Sequence, residues 1–331
     1  MNSFDIVYGD IRLRIICDSD ITPIIKKHFF NHKIIEASSV EPTYTLILSS
    51  EQIDISGNHY KMVDKWFDNA SLDCYINNDI KTCQATNFVA SSDKYRKLII
   101  KYLAANVFNR LLEIYGYIGI HSSCVDMDGN GLLFVAERNN GKTVCMLNLI
   151  NNGFDFVTND ITAIKSNGTK VNARGISDSI SIRLSPAFCE QPENKKYVEF
   201  AKQRNIQVDS ESKIDGNKLF LSEQELINLS GSKKIFDTEI KGIIRPFYNP
   251  YEKELEIYKM SQTENLDLLL SQYLPLVHET TYFLKNIKLD NVDNEMNKLL
   301  MIDELSKVPC YFCSQNENTT TEFIKQMRKV L

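Results

Sequence analysis

The stretch whose reading decides the fold is Leu132-Leu133-Phe134-Val135-Ala136-Glu137-Arg138-Asn139-Asn140-Gly141-Lys142-Thr143, which runs on into Val144-Cys145-Met146-Leu147-Asn148-Leu149-Ile150. An apolar run, a polar loop ending in Gly-Lys-Thr and an amphipathic segment read as strand, tight loop and helix. That is the context a phosphate-binding loop needs. In such a loop the backbone N–H groups of Arg138, Asn139, Asn140, Gly141, Lys142, Thr143 and Val144 cradle phosphate oxygens, and the positive end of the helix dipole adds to the attraction. Lys142 is then expected to reach the β- and γ-phosphates, and Thr143 to give its hydroxyl to Mg²⁺. One residue departs from the motif: Ala136 stands where glycine is expected, and alanine does not easily take a positive φ. An ordinary strand–loop–helix carrying a chance Gly-Lys-Thr is the alternative.

The chain has 331 residues, enough for a large core and two lobes. Charged residues at 24% and hydrophobic residues at 43% fit a soluble globular protein. The net charge of −5 argues against a general nucleic-acid binder, which normally shows a basic face. No apolar run is long enough to span a bilayer, so no membrane role is expected. The opening Met1-Asn2-Ser3-Phe4-Asp5 lacks the basic and apolar regions of a signal peptide, and a cytoplasmic location is expected. The eight cysteines are scattered through mostly apolar runs, where free cysteine acts as a small hydrophobe. Cys310 and Cys313 are closely spaced, but they lack a second ligand pair for zinc and sit in a strand-like run, so a structural role is expected.

Residues 1–90 read as a small α+β domain. Ile11, Leu13 and Ile15 alternate with Arg12 and Arg14 as in a half-buried strand, and Asp18-Ser19-Asp20 offers an N-cap for a helix towards Phe30. Residues 91–331 form the second domain. Ser91-Ser92-Asp93 opens a long helix, with Leu98, Tyr102, Leu103, Val107, Leu111 and Ile114 at helical spacing and Gly116 as its end. The strand through Ile120-His121-Ser122-Ser123-Cys124-Val125 turns at Asp128-Gly129-Asn130-Gly131 into the strand before the loop, so the two form a hairpin. Strands are expected at Phe154–Thr158, Ala163–Ser166, Lys170–Arg174, Ile180–Leu184, Lys241–Pro246 and Val308–Cys313. Helix is expected over Glu264 to about Lys307 and over Thr321–Val330. A helix and a mobile loop are expected between Glu190 and Asp215.

His121, the loop at 136–143 and Asp160 thus stand in a fixed order. Together with the Gly-Leu-Leu-Phe-Val hairpin strand and Gly153-Phe154-Asp155-Phe156-Val157-Thr158-Asn159-Asp160, they resemble the C-terminal domain of the HPr kinase/phosphorylase family. The resemblance implies an α+β fold: a P-loop domain with a mixed sheet, akin to phosphoenolpyruvate carboxykinase, preceded by a small variable domain. It covers residues 95–190 well and the rest loosely. It implies a serine kinase using ATP or GTP with Mg²⁺, in which His121, Lys142, Asp160 and Arg183 are catalytic and Thr143 and Asp160 hold the metal. It also implies a possible homo-oligomer. The N-terminal unit is similar to that of family members that phosphorylate a serine of ribosomally made precursor peptides. A peptide or small protein is therefore the expected acceptor, with recognition by residues 1–90.

The family often carries two aspartates where this chain has Asn159-Asp160, and one of that pair is assigned there as the base; on the simplest alignment it is the first of the pair that is replaced here. Asparagine cannot accept a proton at neutral pH. Either Asp160 or His121 then acts as base, or the chemistry is impaired. The HPr-specific signature is absent, so neither HPr as substrate nor phosphorylase activity is expected. Arg174, Arg183 and Arg245 are each candidates for a further cation on the transferred group. A small-molecule kinase and a catalytically degenerate nucleotide-binding protein are the competing readings.

Overall fold

The computed structural model describes residues 1–29, 32–51, 56–176, 179–206, 218–249, 254–289 and 295–331. The chain divides into two compact units, residues 1–117 with 275–297, and residues 118–274 with 298–331. From sequence the boundary is expected after residue 90. The long helix that follows, and a segment from near the far end of the chain, belong instead with the first unit.

The first unit is built on β1 (Asn2–Tyr8), β2 (Ile11–Cys17), α1 (Thr22–His28), β3 (Lys33–Glu36), β4 (Tyr44–Leu48), β5 (Asn58–Asp64), β6 (Ala70–Asn77), β7 (Thr82–Val89) and α2 (Asp93–Ile114). Its strands run in the order β3-β1-β2-β4-β7-β6-β5, with β4 parallel to both of its neighbours. The alternation in β2 holds: Ile11, Leu13 and Ile15 are buried, while Arg12 and Arg14 turn the other way and both pair with the buried Asp5 of β1. Ser92 caps α2 by accepting from the Tyr95 N–H, and Gly116 follows it with φ +87°. Helix α1 starts later than expected and has no side-chain cap, with proline in its first turn fixing the start. Asp18 serves a different purpose, accepting from the N–H and hydroxyl of Ser50.

The second unit contains β8 (Ile118–Met127), β9 (Asn130–Val135), α3 (Lys142–Ile150), β10 (Asp155–Thr158), β11 (Ile161–Ser166), β12 (Val171–Gly175), β13 (Ser179–Arg183), α4 (Pro186–Glu190) and α5 (Lys195–Gln203). It continues with β14 (Lys218–Ser222), α6 (Glu223–Ser230), β15 (Asp237–Tyr248), β16 (Glu256–Lys259), α7 (Gln262–Ser271), β17 (Tyr273–Leu274), α8 (Glu295–Ser306), β18 (Cys310–Gln315) and α9 (Thr320–Val330). The expected hairpin is present as β8 and β9, antiparallel from Ser122–Val135 to Met127–Asn130. The sheet is mixed, because β9 and β18 both run parallel to β15. Its pairings also close on themselves. Strand β8 pairs with β9 and β11, β11 with β12, β12 with β15, and β15 with β9. Strands β13 and β14 form a separate two-stranded ladder.

Strand β9 is apolar on both faces because both are covered. Leu132 and Phe134 enter one core with Leu147, Phe156 and Phe323; Leu133 and Val135 enter a second with Ile243, Leu269 and Leu305. The helix expected over Glu264–Lys307 is broken. Helix α7 ends at Ser271, and the chain passes through β17 into Pro275, which bars helical geometry in the residue before it. Helix α5 falls in the polar segment 190–215, whose expected mobile loop lies largely outside the described residues. All eight cysteines are free, and burial pushes the thiols of Cys310 and Cys313 up to about 12, in keeping with packing roles. No helix among the described residues is long and apolar enough to cross a membrane.

Gly175, the last residue of β12, has no room for a side chain: a Cβ there would stand 2.3 Å from the Val157 carbonyl oxygen and 2.9 Å from Thr158 Cβ. Gly175→Ala must therefore push away the end of β10. The variant is expected to lose about 1–3 kcal/mol of stability, the usual scale of overpacking, read as a lower midpoint in thermal or urea unfolding. A loss within 0.5 kcal/mol would show that this end of β10 yields freely.

Candidate functional site

The loop leaves β9 at Ala136, which is fully buried. The positive-φ positions are Asn139 at +68° and Gly141 at +90°; Ala136 is not among them. Alanine therefore fits where the motif has glycine, and the left-handed turns fall on asparagine and glycine, the residues that tolerate them. Helix α3 begins immediately after Gly141, with no side-chain cap. Among the described residues, the main-chain N–H groups of Arg138, Asn139, Asn140, Gly141, Lys142, Thr143 and Val144 make no hydrogen bond.

Lys142 is buried and folded back along the loop. Its Nζ donates to the carbonyls of Ala136, at 2.5 Å, and Glu137, at 3.1 Å. Burial pulls its ammonium down to about 8, although the charges of Asp160 and Glu137 work in the opposite direction. Glu137 braces the outer side of the loop. One carboxylate oxygen lies 3.2 Å from Arg245 Nη2 and the other accepts from Asn140 Nδ2 at 2.9 Å. Its own N–H is the largest cause holding its carboxyl below the usual range, with Arg245 and Asn140 adding to it.

The turn between β10 and β11 supplies the other wall. Thr158 Oγ1 donates to the Ile161 carbonyl across it, and Asp160 takes φ +82°. This reversal sends neighbouring side chains to different partners. Asn159 Oδ1 accepts from Thr143 Oγ1 at 3.1 Å and from Ser123 Oγ at 2.8 Å. Asp160 Oδ1 lies 3.4 Å from His121 Nε2. His121 is held from behind, its N–H donating to the Gln272 carbonyl, while the Ser122 N–H donates to the Asp160 carbonyl. Contact with His121 lowers the Asp160 carboxyl, and the charges of Lys142 and Arg138 lower it further against desolvation. The Asp160 side chain is 66% exposed and that of His121 21%.

His121, Lys142, Thr143 and Asp160 thus converge on one site. Thr143, however, meets Asn159 and not Asp160, because the turn points the two residues apart. Arg183 lies on the separate β13–β14 ladder opposite Lys218, and among the described residues no hydrogen bond or ion pair joins it to the loop, His121 or Asp160. Of the three candidate arginines, Arg245 is the one that touches the loop. Arg174 is buried in β12, 3.8 Å from Asp237. Glu137 and Ser123 carry contacts that residue type alone did not announce. Ser123 stands two residues beyond His121 on β8, so strand alternation puts both on one face.

Among solved structures, that of the Hpr(Ser) kinase/phosphatase from Coxiella burnetii is similar at 12% identity, over 64% of this chain and 96% of that one, with a TM-score of 0.30. No protein-family model matches the sequence, and no curated protein does. A likeness at that score leaves the activity to be argued from this chain's own residues.

Proposed function

We propose that this chain binds a nucleoside triphosphate, ATP or GTP, through residues 138–144 and transfers its terminal phosphoryl group to a hydroxyl. The observation that carries the reading is the run of N–H groups without partners at the start of α3, with a buried lysine at its centre. Converging main-chain donors at a helix N-terminus form an anion site. Lys142 holds two carbonyls that a phosphate oxygen would replace, and an incoming anion compensates the burial of its charge.

The donor set suits Mg²⁺, a hard cation that keeps several waters and takes few protein ligands. The hydroxyl oxygens of Thr143 and Ser123 lie together at the loop, both held by the amide oxygen of Asn159. Thr143 and Ser123 would hold a Mg²⁺ that arrives with the nucleotide, which would supply charge neutralisation on the phosphates. Asp160, exposed and ionised, accepts the proton of the attacking hydroxyl, and His121 orients its carboxylate. Arg245 supplies a further cation beside the loop. The acceptor we propose is a serine or threonine of a peptide or small protein, with the first unit as its reader. One residue favours a second reading, nucleotide-dependent binding without transfer: Asn159 cannot act as a base.

Transfer is tested by mass spectrometry with Mg²⁺-ATP and serine- and threonine-containing peptides. A gain of phosphate that is lost in Lys142→Ala is expected. Asp160→Asn is expected to cut kcat by about 10²–10⁴-fold, the usual worth of a general base, with nucleotide affinity held within a few-fold. Nucleotide binding without transfer to any acceptor would favour the second reading, and no binding at all would remove both.

The lysine gives a pH signature. In the free protein Lys142 sheds its proton near pH 8, and a phosphate beside it raises that value. Binding therefore takes up a proton above pH 8, and affinity declines as pH rises towards 10, by at most about tenfold per unit. Below about pH 7.5 this contribution is flat. Calorimetric titration across pH 7.5–9.5 should show the decline in wild type, and Lys142→Met should abolish it. An equal slope in the variant would assign the effect to another group.

A further inference from the structure

We propose that Asn159 is a positioning residue whose amide makes metal binding conditional on the nucleotide, so that this site accepts a divalent cation only together with a triphosphate. The inference rests on the reading of residues 138–144 as a phosphate site. Asn159 is 5% exposed, and its side chain is fixed between β8 and α3 by the two hydroxyl donors. Both hydroxyl protons are spent on the one amide oxygen. The lone pairs of Ser123 Oγ and Thr143 Oγ1 are therefore directed away from Asn159, as acceptors towards any cation that enters. No carboxylate belongs to this trio; Asp160, the next residue along the turn, lies against His121. Among the described residues no group of three or more His, Cys, Asp or Glu side chains is arranged to hold a metal ion.

The surrounding charge points the same way. Two cations, Lys142 and Arg138, and two carboxylates, Asp160 and Glu137, act on one another at the loop, so the loop holds no excess of negative charge to draw a free cation. Two neutral hydroxyl oxygens held by an amide make a poor site for a free divalent ion, since ligand charge sets the affinity of such sites. Phosphates add negative charge and oxygens of their own. Asn159 Nδ2 makes no hydrogen bond among the described residues, which leaves both its N–H groups for a phosphoryl oxygen. An aspartate at this position would keep the contacts to Ser123 and Thr143, add a charge and lose those donors.

Mn²⁺ binding to the full chain without nucleotide, followed by loss of the free-ion electron paramagnetic resonance signal, tests this. Wild type is expected to bind Mn²⁺ weakly, and Asn159→Asp at least about tenfold more tightly. Ser123→Asp, which brings a carboxylate to the same place from β8, provides the same comparison should Asn159→Asp not fold. Tight Mn²⁺ binding by nucleotide-free wild type would overturn the proposal, as would unchanged affinity in a folded carboxylate variant. Calorimetry of wild type with Mg²⁺-ATP is run alongside. Failure there removes the phosphate-site reading itself, whereas nucleotide binding with no gain in the carboxylate variants removes only the role given to Asn159.

Discussion

The site depends on where β9 ends. This strand is hydrogen-bonded on both sides, antiparallel to β8 and parallel to β15, and its side chains enter two separate cores. It can neither slide nor twist without breaking a ladder, and a one-residue slip would exchange Leu132 and Phe134 for Leu133 and Val135 between the cores. The loop from Ala136 therefore leaves from a fixed point in a fixed direction. The same β8 that pins β9 also carries His121 and Ser123, so one hairpin sets both the loop at 136–143 and half of the opposite wall. The rest of that wall comes from the turn at 158–161, held to β8 through the pairings of β10 and β11.

Electrostatically the loop is built at a cost. A buried ammonium satisfied only by two carbonyls is a poor arrangement for stability, and its lowered proton affinity measures how poorly it is compensated. The Glu137–Arg245 pair does little to offset that, because both side chains are well exposed and surface ion pairs contribute about 0–1 kcal/mol. Its effect is geometric: together with Asn140 it ties the loop's outer side to β15. A rigid loop with an undercompensated cation at its centre is the arrangement that the proposed phosphate binding needs.

Much of this was legible in the sequence. The apolar run 132–135 and the Gly-Lys-Thr after it fixed a strand and a helix, and the Gly-rich turn at 128–131 gave the antiparallel partner. Ala136 looked like an obstacle because the motif assigns that place to glycine; the backbone there has no positive φ, so the objection fell away. Other features needed the third dimension. Pro275 shows why the helical reading of 264–307 had to break, but not that residues 275–297 join the first unit. Arg183 was picked by position in a pattern, yet its strand forms a ladder of its own. The meeting of Ser123, Thr143 and Asn159 depends on the register of β8 against β10, which shifts between Phe156 and Thr158 and cannot be counted from residue spacing.

That shift bears on how two adjacent polar residues divide the chemistry. In regular extended backbone Asn159 and Asp160 would simply point to opposite faces. With Asp160 left-handed, the turn instead sends the buried amide towards the helix and the exposed carboxylate towards His121. The amide is buried and has no charge to gain or lose, so it suits a fixed scaffold for hydroxyl oxygens. The carboxylate is exposed and ionised, and its histidine partner remains accessible, so it suits proton transfer. In the proposed reaction an asparagine at 159 therefore keeps charge away from the Thr143 side of the site, while Asp160 stays available as the base beside His121.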